Sequence, residues 1–223
     1  MGEISVFDII GPRMVGPSSS HTAGANRLGR MARKIARDKI ESVEIYVHGS
    51  FAKTLKGHGT DRALVAGLLG IREDDEALKD SFRIAASEGM AFAFHEIDLG
   101  EVHPNTVKFV MTTAGGKKTT VVGSSTGGGG IMIVEIDGLM VKFTGLYPTL
   151  ITRHNDHPGV IHQVTAVLAE ASINVAFMSV FRQDKGDQAF MVIESDDLIP
   201  EAIVTRLKES VHLLQDVFVI EGI

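Results

Sequence analysis

A chain of 223 residues with 44% hydrophobic content can bury one large core or two small ones. Its formal charge of −6 and pI near 5.8 argue against the clustered basic surplus of a nucleic-acid binder, so a small molecule or a protein is the expected partner. With no cysteine, the chain itself can form no disulfide, no thiolate nucleophile and no thiolate-ligated zinc or iron–sulfur centre. It holds no run of about 18 apolar residues and no basic-then-apolar start, so neither a membrane span nor a signal peptide is expected and the reading is cytoplasmic.

Leu28, Met31, Ala32 and Ile35 fall at i, i+3, i+4 and i+7, which predicts a helix over Ser20–Arg37 with a basic opposite face. Val43, Ile45 and Val47 alternate as in a strand, and Asp61–Leu69 is an apolar helical segment that Gly70 can end. A helix is expected over Asp75–Glu88, where Leu78, Phe82 and Ala85 share a face. The period then changes to two. Met90–Ile97, Thr106–Thr113, Lys118–Ser125, Ile131–Ile136 and Leu139–Thr144 read as strands of a largely antiparallel sheet, with Asp137-Gly138 a hairpin turn.

From Pro148 onward a second module is expected. Strand Thr149–Arg153, helix Gly159–Ala171, strands Ile173–Arg182 and Gln188–Glu194, a helix opened by Pro200 and strand Leu214–Ile220 give the order βαββαβ of ferredoxin-like folds. The fold class is therefore α/β (α+β), with domains at 1–147 and 148–223.

Four loops carry polar clusters. Ser18-Ser19-Ser20-His21-Thr22 precedes the first helix; one serine suffices as a cap, and the surplus hydroxyls and amides suit a carboxylate or phosphate. His48-Gly49-Ser50 and Gly57-His58-Gly59-Thr60-Asp61 lie between a strand and a helix, where Asp61 is either a plain cap or the group that orients His58 as a general base. In His103-Pro104-Asn105-Thr106 the histidine is held extended before proline and Asn105 can both donate and accept, although a turn explains the stretch equally well. Asn155, Asp156 and Gly159 fall between strand and helix in the second module, as caps or as donors to an amino-acid effector. The nine histidines lack zinc-hydrolase spacing, and Gly127–Gly130 lacks the Gly-Lys-Ser/Thr of a phosphate loop.

The stretches SVFDIIGPRMVGPSSSHTAGA, GSFAKTLKGHGTD, HPNTV and GGGGIMIVEIDG resemble the β subunits of the bacterial iron–sulfur-dependent L-serine dehydratases across essentially the whole chain. HNDHPGVIHQVTAVLAEASINV resembles an ACT domain, a module that binds amino acids and pairs side by side with another copy. The resemblance implies conversion of L-serine to pyruvate and ammonia with a 4Fe–4S cluster that the cysteines of an α subunit ligate. It implies a homodimer through the ACT domain and no metal held by this chain. It implies an N-terminal mixed-sheet domain like the allosteric substrate-binding domain of phosphoglycerate dehydrogenase. Carried over by motif, His58, Asp61 and His21 are the expected catalytic residues, with Asp61 orienting His58. Ser18, Ser19, Ser20, Thr22, His103 and Asn105 are expected at the substrate, and Asn155, Asp156, Gly159 and Asn174 at an effector. Two other readings stand beside it: an amino-acid sensor acting through the ACT domain, and a pyridoxal-phosphate dehydratase using Lys53.

Overall fold

The computed structural model describes residues 12–182 and 184–223, and the chain divides into two compact units after Asp137. The Ser5–Gly11 portion of the first family-like stretch lies outside the described residues.

In the first unit a π-helical turn, Ser19–Gly24, runs directly into helix α1, Ala25–Ala36. The expected stripe of Leu28, Met31, Ala32 and Ile35 is fully buried, each large side chain contributing about 1.5–3 kcal/mol over its exposed state. Strand β1, Ile40–Val47, leads to a short helix α2, Gly49–Lys53, and then to α3, Thr60–Leu69. The single helix expected from Asp75 is broken: Asp75 caps a 3₁₀ turn, Glu76–Asp80, and α4 starts afresh at Ser81–Glu88. The restart has a physical anchor, because Ser81 is buried and its Oγ donates to the Arg62 carbonyl on α3 at 3.0 Å.

Strands β2 (Ala91–Glu96), β3 (Thr106–Thr113), β4 (Lys118–Gly127) and β5 (Gly130–Ile136) join β1 in the order β2-β1-β3-β4-β5. β1 pairs with β2 in parallel, as a strand–helices–strand crossover requires, and the remaining pairs are antiparallel. The sheet is therefore mixed, and α1 packs on β3, β4 and β5.

What positions the functional loops is the contact between α1 and α3. A Cβ built on Gly67 would stand 2.1 Å from the Asn26 carbonyl oxygen, and one on Gly29 would stand 2.4 Å from that of Leu64. The two backbones touch, and only glycine permits it. Asn26, fully buried, donates Nδ2 to the carbonyls of Ala63 (3.4 Å) and Ile71 (2.9 Å), and Arg33 donates to Leu68 (3.1 Å). Around this crossing, Asn26 near the start of α1 bonds Ala63 near the start of α3, and Arg33 near its end reaches Leu68 and Gly70 at the end of α3, so the helices run in the same direction and their first turns emerge together.

The second unit opens with β6, Leu139–Phe143. It continues as β7 (Thr149–Asn155), α5 (Val160–Glu170), β8 (Val175–Arg182), β9 (Gln188–Ser195), α6 (Glu201–Ser210) and β10 (Leu214–Ile220). The sheet order is β10-β7-β9-β8, antiparallel throughout, which is the expected βαββαβ arrangement. Leu150, Met191, Ile193 and Val217 from the sheet meet Val160, Val164, Leu168, Val204 and Leu207 from α5 and α6 in one core.

Gly67→Ala should destabilise the protein by about 1–3 kcal/mol or more, because the new methyl meets backbone that cannot move aside. Urea unfolding checks this, and a midpoint equal to wild type would contradict the close crossing.

Candidate active site

The segment before α1 and the segment before α3 meet at His21. Its Nδ1 lies 3.1 Å from Ser20 Oγ and 3.4 Å from Ser18 Oγ, while its Nε2 lies 3.1 Å from Ser50 Oγ. Hydroxyls thus hold the ring at both nitrogens, and each can donate or accept. The edge of Phe51 packs against the ring at 5.4 Å, and the His58 ring lies against it at 5.2 Å with a 36° tilt. Burial holds the His21 imidazole below its ordinary value, and the nearby His58 adds to the effect. His21 is therefore neutral near pH 7, one nitrogen a donor and the other an acceptor.

Local structure explains each placement. Ser18 is extended and caps the π-helical turn, its Oγ accepting the His21 N–H at 3.3 Å and its carbonyl accepting Thr22 N–H at 2.8 Å. His58 sits in a turn wound onto the end of α2, its N–H donating to the Thr54 carbonyl at 3.2 Å. Gly59 then starts α3 in the left-handed region (φ 69°) with no side-chain cap. Both helix starts direct the positive ends of their dipoles to one place.

A cavity of about 290 Å³ lies here, lined among others by Gly16, Thr22, Gly57, His58, Gly59 and Arg62. Thr22 is 1% exposed, and among the described residues its Oγ1 has no hydrogen-bond partner. A buried orphan hydroxyl costs about 1–3 kcal/mol, which a ligand oxygen reaching it would recover. Asn105 Oδ1 and Ser125 Oγ are also buried with no partner among the described residues, and Ser125 N–H donates to the Asn105 carbonyl at 2.9 Å.

Of the residues expected from sequence, Ser18, Ser20, His21, Thr22 and His58 come together. Ser19 is half-buried within the same turn. Asp61 does not contact His58: its Oδ1 accepts the Arg62 N–H at 2.8 Å, and among the described residues no hydrogen bond joins it to the imidazole. The neighbour of His58 is the His21 ring. The His103–Thr106 loop approaches through its backbone, since the Pro104 carbonyl accepts Ser50 N–H at 2.7 Å, while the exposed His103 turns Nδ1 inward to the Asn105 N–H at 3.1 Å. Ser50 was noted in sequence only as part of a loop; its role rests on a contact 29 positions away, which no local pattern announces. Lys53, at the end of α2, lines a different cleft of about 440 Å³ with His48, Glu96 and Asp98.

In the second unit the expected effector residues are engaged with their neighbours. Asn155 Oδ1 accepts from Gln215 at 2.7 Å, Asp156 Oδ2 takes Arg182 at 2.6 Å and the Gly186 N–H at 3.2 Å, and Asn174 donates to Asp196 at 2.6 Å. The Arg182 guanidinium and the Gly186 amide keep the Asp156 carboxyl below the usual range. Gly159 (φ 95°) starts α5, whereas Asn174 follows its other end, about 1.5 Å per residue away over 11 residues.

Mixed-sheet unit, ferredoxin-like unit and polar helix-start site define a two-part α/β protein with a polar-lined cavity in its first unit. The comparisons name its family. A family model described as serine dehydratase beta chain matches residues 5–81, and one described as ACT domain matches residues 149–212. The chain is 44% identical to the probable L-serine dehydratase, beta chain, of Bacillus subtilis over 95% of its length and 96% of the relative's. It is 40% identical to the L-serine dehydratase, beta chain, of Peptoniphilus asaccharolyticus, covering 93% of this chain and 94% of that one. A D-3-phosphoglycerate dehydrogenase of Bacillus subtilis is 29% identical over 82% of this chain and 35% of its own length. The chain belongs to the L-serine dehydratase beta-chain family.

The lowered His21 value has a consequence for stability with a definite sign. The unfolded chain takes up the proton first as pH falls below the ordinary histidine value of 6.5, so stability is full above that value and declines beneath it. His154, 2% exposed on β7 and held low by burial, acts in the same direction. Urea midpoints should fall between pH 7 and pH 5.5, and His21→Gln should flatten part of that slope. An unchanged slope in the variant would contradict the neutral His21.

Proposed function

We propose that this chain is the β subunit of an L-serine dehydratase, a lyase that turns L-serine into pyruvate and ammonia together with an α subunit. The observation that carries the reading is 44% identity to a beta chain over nearly the full length of both proteins. The convergence of two helix starts on a neutral imidazole supports it independently.

The chain has no cysteine, and the described residues contain no group of three His, Cys, Asp or Glu that could hold a metal, so its side chains do not fit a cluster of their own. We assign the 4Fe–4S cluster to the α subunit, where it would supply Lewis acidity at the substrate hydroxyl.

This chain's residues do the rest. The positive ends of the helices that begin at the π-helical turn and at α3, with the Thr22 hydroxyl, favour the substrate carboxylate in the cavity beside His58. His58, exposed at the cavity wall, takes the proton from Cα, and the neutral His21 against its ring disfavours a second positive charge far less than a protonated neighbour would. Loss of the Cα proton and of the Cβ hydroxyl releases water and aminoacrylate, which hydrolyses to pyruvate and ammonia. Ser18 and Ser20 hold the His21 ring, the His103–Asn105 loop braces Ser50 through the Pro104 carbonyl, Ser19 belongs to the same turn, and Asp61 accepts the Arg62 N–H in the first turn of α3.

The domains are assigned as 1–147 for the β domain and 148–223 for the ACT domain, in a cytoplasmic setting. The ACT domain is assigned to pairing with a second copy. β8 is an edge strand and exposes Phe177 (58%), Met178 (41%) and Val180 (37%), a surface suited to a like strand.

The purified chain mixed anaerobically with a cluster-bearing α subunit should deaminate L-serine, and His58→Ala should lower kcat by about 10²–10⁴-fold. A His58→Ala complex with wild-type kcat would remove His58 from the mechanism, and no activity in any wild-type mixture would remove the reading.

A further inference from the structure

Ser50 is held beside His21 by bonds at both of its backbone groups. Its N–H donates to the Pro104 carbonyl at 2.7 Å, and its own carbonyl accepts Thr54 Oγ1 at 2.7 Å and Thr54 N–H at 3.0 Å. Gly49 before it sits at φ 57°, and a Cβ there would stand 2.7 Å from the Pro104 oxygen, so the turn is locked against the His103–Thr106 loop. One residue earlier, His48 N–H donates to the Thr106 carbonyl at 3.0 Å. The backbone of Ser50 is fixed, and the one freedom left is rotation of its hydroxyl. That hydroxyl is the group 3.1 Å from His21 Nε2, while Ser18 and Ser20 share Nδ1.

From this geometry we propose that Ser50 is a positioning residue for the dehydration site, fixing the plane of the His21 ring and, through the ring contact, the imidazole of His58. The inference rests on the reading of His58 as the base. Ser50 acts through His21 and does not line the cavity, so its removal should affect turnover and leave substrate binding alone. A serine hydroxyl suits the task because it donates to one tautomer and accepts from the other without moving its oxygen. Without it, Nε2 loses its fixed partner and the ring can rotate about its remaining contacts with the serine turn.

The test uses the full chain labelled with ¹⁵N-histidine and the complex with the cluster-bearing partner. In Ser50→Ala the difference between the His21 Nδ1 and Nε2 shifts should change, with an unchanged circular-dichroism spectrum and melting point. In the complex, kcat for L-serine should fall on the order of tenfold with KM within about twofold, as expected for a displaced catalytic group. Ser50→Thr, which keeps the hydroxyl, should restore both readouts. Should Ser50→Ala fail to fold, Ser50→Cys carries the same comparison with a weaker hydrogen-bonding group. Unchanged His21 shifts, or changed shifts with wild-type kcat, would overturn the proposal. A shift change in a chain whose wild-type complex never deaminates serine would instead contradict the proposed function and leave the Ser50–His21 coupling standing.

Discussion

The glycine-to-glycine contact of α1 and α3 is the constraint on which the functional end of the first unit depends. Gly29 and Gly67 bring two backbones closer than any side chain would allow, and Asn26 ties the same crossing with hydrogen bonds to Ala63 and Ile71. Because the helices run in the same direction, their preceding loops are delivered to one place. The Ser18–Thr22 turn and the Gly57–Asp61 turn are far apart in sequence and adjacent in space for this reason. Glu73, 4% exposed, reinforces the arrangement from the α1 side: it receives Arg27 (2.8 Å) and Arg30 (3.1 Å), and its carbonyl accepts the N–H of Val15 just upstream of the serines.

Parallel helices also add their dipoles at that end. An isolated carboxylate in a half-buried pocket would suffer from desolvation, and two helix starts offset part of that cost, each by roughly 0.3–1 kcal/mol near the surface. Burial of His21, and after it the proximity of His58, hold the His21 imidazole below its ordinary value, which keeps that ring neutral beside the cavity.

Much of this was legible in the sequence. The stripe on α1, the strands from Thr106 onward and the βαββαβ order follow from hydrophobic period alone, because those segments are long and face one core. The serine and histidine clusters stood out as surplus polarity at helix starts. Three things were not legible. The five-residue helix α2 is too short to show a period. The break at Asp80-Ser81 depends on a hydrogen bond to α3. The partner of His58 depends on which loop the α1–α3 register sets opposite it, so Asp61, only three residues along the chain, was the natural expectation and His21 the actual neighbour. In the second unit, Asn155 and Asp156 read from sequence as helix caps or as part of an effector loop; α5 starts at Gly159 with no side-chain cap, and the two side chains bond Gln215 and Arg182.

In the proposed function the two helix starts around His21 and His58 receive the carboxylate of a small amino acid. The most direct measurement is a backbone and ¹⁵N-histidine NMR titration of the full chain with L-serine and, in parallel, with ethanolamine, which lacks the carboxylate. L-serine should perturb the amides of residues 18–22 and 59–61 and the imidazoles of His21 and His58, while ethanolamine should leave them unchanged. Equal perturbation by both compounds, or perturbation by L-serine confined to residues 155–159, would contradict that placement of the carboxylate.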